Sequence, residues 1–133
     1  MKYVLREHNK IEIGNNLLQF PNETRIGKVE LFKNSICFNT TPVEKDLDWS
    51  KIETHQIWKE RCLNNPSELF CYGFSGKLEW QFQYNNIVGF GKITSDLQKE
   101  ENIGKELLEV YAGDFRYVLD VSSGEILGES YHK

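Results

Sequence analysis

The chain has 133 residues, a formal net charge of −4, and 39% hydrophobic and 13% aromatic residues. That length and apolar content suit a single domain spanning 1–133 with its own core, and exclude a disordered chain. The acid balance disfavours a bare duplex or an anionic membrane surface, since phosphate binding needs a basic face, and no run approaches the ~20 apolar residues of a membrane span.

From the N-terminus, Tyr3 and Leu5 alternate with polar residues, then Ile11 and Ile13, with His8-Asn9 as the turn between two short strands. Residues 17–20 form a brief apolar run that Pro21-Asn22 ends. KVELFK at 28–33 and SICFN at 35–39 read as a second hairpin, turning near Lys33-Asn34. An interruption follows over 40–67. Trp49 and Ile52 have helical spacing there, and Ser50 with Glu53 three residues on has the form of a capping box, so a short helix is expected.

The strongest pattern lies at 69–84, LFCYGFSGKLEWQFQY. Leu78, Trp80, Phe82 and Tyr84 alternate with Glu79, Gln81 and Gln83, the period-two mark of a strand with one dry face. Ser75-Gly76 lets this strand close a hairpin with the aromatic run 69–74. Residues 87–93, IVGFGKI, read as a strand whose two glycines suggest a bulge. Residues 95–106 are polar and acidic, and Ser95 with Gln98 could cap one or two helical turns. Strands return at 107–111, then at 115–121 after a Gly113-Asp114 turn of type II′ form, and at 126–131 after Ser122-Ser123-Gly124.

About ten short strands joined by hairpin-length turns predict a mainly β fold with at most one or two short helices. The order aromatic strand, Ser-Gly turn, short strand occurs twice, with Gly76 and Gly124 48 residues apart. That spacing is blade-like, but four blades of roughly 40 residues exceed the chain. Antiparallel meanders forming a twisted sheet, a sandwich or a half-open barrel are left.

Ser75-Gly76-Lys77-Leu78-Glu79-Trp80, then Gly113-Asp114-Phe115-Arg116-Tyr117, Asp120 and Gly124-Glu125-Ile126, together resemble a pattern shared by small β-rich bacterial immunity proteins. These belong to toxin–immunity pairs, including contact-dependent growth inhibition systems. The likeness covers about the last half of the chain and rests on turn glycines and core aromatics. Asp114 is an insertion relative to that pattern, as is the acidic segment 95–109. The resemblance implies a cytoplasmic protein that binds one toxin domain tightly and blocks it.

Read from the residues alone, two stretches are candidate partner surfaces. One is the interruption, where Asp46, Asp48 and Glu53 accompany Trp49 and Trp58. Tryptophan is enriched at interface hot spots; the competing reading is that both rings plug the sheet as core. The other is the acidic segment carrying Glu100 and Glu101, either a docking face for a basic partner such as a nuclease or a solvated loop. The aromatics Phe74, Trp80, Phe82, Tyr84, Phe90, Phe115 and Tyr117 read as core rather than as a nucleic-acid stacking platform, because no basic groove accompanies them.

No catalytic signature, phosphate-binding loop or dinucleotide fingerprint occurs. Cys37, Cys62 and Cys71 lack metal-ligand spacing with His8, His55 or His132, so no metal and no cofactor is expected. Three widely spaced cysteines and the absence of an apolar leader predict a reducing, cytoplasmic setting. The expected function is non-enzymatic neutralisation of a toxin domain; the alternative is a β-domain that binds a small ligand or carbohydrate in a curled sheet.

Overall fold

The computed structural model describes residues 2–93 and 104–131. Its strands form three antiparallel meanders. The first sheet contains β1 (Tyr3–Glu7), β2 (Lys10–Ile13) and β3 (Asn16–Gln19). The second contains β4 (Thr24–Leu31), β5 (Ser35–Pro42), β6 (Glu68–Gly73) and β7 (Leu78–Gln81). The third contains β8 (Ile87–Lys92), β9 (Leu107–Ala112), β10 (Phe115–Asp120) and β11 (Ile126–Tyr131). In each sheet, spatial order follows chain order. Among the described residues one helix, α1 (Glu53–Asn64), interrupts the second sheet between β5 and β6. No described helix is long and apolar enough to cross a membrane.

The second sheet lies in the middle. Ile36 and Phe38 of β5 pack with Ile11 and Ile13 of the first sheet. Cys37 of β5, with Leu69 and Cys71 of β6, packs with Phe90, Leu108, Val110 and Leu119 of the third. Each face of β5 therefore serves a different core. Seven of its eight residues are buried, so polar–apolar alternation is lost there. Even the polar Asn39 is enclosed: its Oδ1 accepts the Lys28 amide at 2.7 Å across the β-bulge in β4.

The repeated Ser-Gly turns have a structural reason. Gly76 has φ +93°, and a Cβ there would sit 2.5 Å from the Ile13 carbonyl oxygen, where the β2–β3 turn presses on it. Asn16 reinforces that contact by donating to Gly76 O at 2.8 Å. Gly124 has φ +75°, and a Cβ there would meet the Trp80 ring at 2.6 Å. Trp80 Nε1 donates to Val121 O at 2.7 Å, so one side chain clamps the second sheet to the third. Sheet is thus joined to sheet at equivalent hairpin turns.

The described residues hold eleven strands in three antiparallel sheets, which bears out the expected mainly β fold of antiparallel meanders with at most one or two short helices. Other expectations need correction. Trp80, Phe82, Phe90 and Tyr117 are core, but Tyr84 is 43% exposed and Phe115 is 42% exposed. Tyr84 lies past the end of β7 at Gln81, and Phe115 opens β10 beside the Gly113-Asp114 turn. The capping box does not form. Asp48 Oδ1 takes both the Ser50 amide (3.1 Å) and the Ser50 hydroxyl (2.6 Å), drawing Ser50 into an Asx-type turn, and Ile52 stands at the helix N-cap with no side-chain cap. The Ser95–Gln98 cap lies outside the described residues.

Gly124→Ala should be far more destabilising than Gly113→Ala. Both glycines have positive φ, but a Cβ at Gly113 meets nothing within 4 Å. The backbone cost of about 1–2 kcal/mol is common to both, and the clash with Trp80 adds about 1–3 kcal/mol at Gly124 alone. Urea unfolding of the two variants measures the difference.

Candidate functional site

The excursion between β5 and β6 is fastened to the sheets by polar groups. Arg61 of α1 is 9% exposed. Its Nη1 donates to Val43 O at 2.6 Å and to Asp46 Oδ1 at 2.7 Å, and its Nη2 to Asp46 Oδ2 at 3.1 Å. Its Nε faces Glu23 at 3.3 Å. At the helix C-terminus, the buried Asn65 donates to Arg61 O and accepts the Thr24 hydroxyl at 2.8 Å, tying the helix to the start of β4. At the other end, the Thr54 hydroxyl donates to Asp48 O.

The side-chain distribution on α1 follows from this attachment. Thr54, Trp58, Arg61 and Asn65 recur at four-, three- and four-residue steps and form the inward stripe, polar except for Trp58. Two residues out of phase, and so on the opposite side, come Ile52, Gln56, Lys59 and Leu63. Ile52 is 88% exposed and Leu63 is 75% exposed, with Ile57 and Trp49 also open to solvent. The usual arrangement, apolar inward and polar outward, is lost: the inward stripe is mostly polar and the outward side is half apolar. Trp49 stands edge-on against the half-buried Trp58 at 5.9 Å and against His55 at 5.5 Å. The indole pair is therefore neither wholly core nor wholly free.

The expected site residues separate by role. Trp49, Glu53 and Trp58 are brought together on the excursion, with Glu53 exposed in the first turn of α1, where the helix dipole favours a carboxylate. The Arg61 guanidinium holds the Asp46 carboxyl below its usual range, and Asp46 in turn raises Arg61. The Ser50 hydroxyl lowers Asp48. Both aspartates thus have partners inside the chain. Glu100 and Glu101 lie outside the described residues. Of the same acidic segment, Glu106 accepts the Lys33 amide at 2.8 Å and Glu109 pairs with Arg116 at 2.7 Å. Ile52, Ile57, Leu63 and Arg61 were not among the expected residues. Their signal was the eleven-residue interval between Ile52 and Leu63, readable only once Arg61 is known to face inward.

The thiols differ in environment: Cys37 and Cys62 are raised, and Cys71 is lowered by its hydrogen bond with Cys37. Cys37 and Cys71 face each other across β5 and β6, buried. The hydrogen bond to Cys71, with burial, pushes the Cys37 thiol far up. Burial also raises Cys62, the opposite of thiolate activation. Among the described residues, no group of three or more His, Cys, Asp or Glu side chains could hold a metal ion. Comparison with protein families, with curated proteins and with solved structures finds no match to this chain.

The Asp46–Arg61 pair gives stability a defined pH dependence. A carboxyl whose folded pKa is depressed contributes stability above its unfolded pKa of about 3.9, and that contribution is lost as pH falls through the folded value. Asp46→Asn should therefore lower the urea midpoint at neutral pH, and the gap from the parent should close on acidification below about pH 4.

Proposed function

We propose that this chain is a non-enzymatic binding protein that neutralises a bacterial toxin domain by covering it, with the α1 excursion as the contact surface. The observation that carries this reading is exposed apolar surface on the excursion: Ile52 and Leu63 stand on the outward side of α1, with Trp49 and Ile57 partly open beside it, on a helix held from behind by Arg61 and Asn65. Exposed apolar side chains gathered on one element, rimmed by charge, are what a protein interface requires. Asp48, Lys51, Glu53, Lys59 and Glu60 supply a rim of both signs. Apolar anchors therefore provide the affinity at this surface, while the net charge of −4 favours encounter with a basic partner such as a nuclease. The likeness of 75–80 and 113–126 to immunity proteins points the same way, and three free thiols suit a cytoplasmic setting.

A carbohydrate-binding reading draws on one feature, the exposed rings of Tyr84, Phe115 and Tyr131 around Tyr117. These rings are 42–64% exposed, and among the described residues no convergent polar groups accompany them in these contacts, so it is the second choice.

The experiment is co-expression with the C-terminal fragment of the gene product encoded immediately upstream. The fragment alone should arrest growth, and this chain should bind it and restore growth. Ile52→Glu and Leu63→Glu should each weaken binding by roughly ten- to a hundredfold, with little change in thermal midpoint because both side chains are largely exposed. A harmless fragment, or binding unchanged in both variants, would remove this reading.

A further inference from the structure

A cleft of about 390 Å³ opens where the β1–β2 turn, the start of β4 and the chain leaving β5 converge. The largely buried Arg61 is part of its lining. Two carboxylates, Glu23 and Asp46, also line it, and both are engaged by Arg61, at 3.3 and 2.7 Å. Arg25 and Lys45 are exposed on the same wall, and neither forms an ion pair among the described residues. Elsewhere on the sheets, Arg6, Lys10, Lys28, Lys92 and Arg116 each face a carboxylate. The cleft thus sets three cations, Arg25, Lys45 and Arg61, against two carboxylates that share Arg61.

We propose that this cleft binds a small organic oxyanion, a phosphate ester or a carboxylate, held by Arg25 and Lys45. An arginine fork takes two oxygens of such a group side by side, and a lysine adds a point charge that tolerates either geometry. Arg61 is held by its hydrogen bonds to Val43 O and Asp46 and its ion pair with Glu23, so it stays turned from the ligand and offsets part of the charge of those two carboxylates. Val43 supplies apolar wall for the carbon portion of the ligand. The volume falls within the roughly 300–1,000 Å³ range of small-molecule sites. His8 adds a fixed ring at the mouth: the Asn22 carbonyl, 2.9 Å away, can only accept, so His8 Nε2 carries the proton. The site is separate from the outward stripe of α1, and its occupancy does not depend on a protein partner.

The test is an NMR titration of the isotope-labelled full chain with inorganic phosphate, phenyl phosphate and benzoate, at ionic strength held constant with sodium chloride. Saturable shifts confined to residues 8, 22–25, 43–46 and the Arg61 side chain support the site, and the ligand that saturates first identifies phosphate or carboxylate as its chemistry. Arg25→Gln and Lys45→Gln should each weaken that binding about tenfold or more, each removing one charge-assisted contact. Both residues are exposed, so the thermal midpoint should hold. Non-saturating shifts with all three probes, shifts equally strong at Lys28 and Lys92, or binding unchanged in both variants would overturn the proposal.

Discussion

Everything in this structure depends on covering both faces of β5 and β6. A strand pair whose successive side chains are Ile36, Cys37 and Phe38 on one strand and Leu69, Phe70, Cys71 and Tyr72 on the other has no wet side. Exposure of either face would return large apolar side chains to water, at about 1.5–3 kcal/mol for each fully buried one. The first sheet covers one face and the third sheet covers the other. Hairpin turns then fix their positions: Gly76 leaves room for the β2–β3 turn, and Trp80 spans to Val121 O over Gly124.

That requirement explains the character of α1. Both faces of the middle sheet are already covered by the other two sheets, so the helix does not serve to seal them. It attaches instead through Arg61, Asn65 and Thr54, groups that bond to backbone and carboxylate. Such pairs add little net stability, since desolvation of the guanidinium offsets much of the attraction. Their value lies in direction: a charge-assisted fork to Asp46 and Val43 O fixes which side of the helix faces inward. Ile52 and Leu63 are left pointing outward, and the same guanidinium offsets part of the charge on the carboxylates beside Arg25 and Lys45.

Local signals in the chain were reliable where local chemistry decides. The 69–84 hairpin, the Gly113-Asp114 turn and the final strand at 126–131 were legible because alternation and turn glycines act over a few residues. The Gly76–Gly124 repeat was legible too, since both glycines close the third and fourth strands of their sheets. Stacking in three layers was not legible, because nothing in KIEI at 10–13 says which sheet its isoleucines cover. The capping box failed because Asp48, two residues upstream, competed for Ser50. At the candidate site, Trp49 and Trp58 stood out by residue type. The inward turn of Arg61, which leaves Ile52 and Leu63 exposed, is decided by Val43 O and Asp46, at positions 18 and 15 residues away. The cleft draws on His8, Arg25 and Lys45, which no spacing rule connects.

The central claim is that α1 is a displayed element held by polar contacts, outside the core that folds. Native-state hydrogen exchange on the free protein tests it most directly, because it assigns an opening free energy to each amide. Amides of β5 and β6 at 36–40 and 69–72 should exchange only through global unfolding, and those of α1 through a local opening of clearly lower free energy. Helix amides as slow as those of β5 would place α1 within the core and contradict the account.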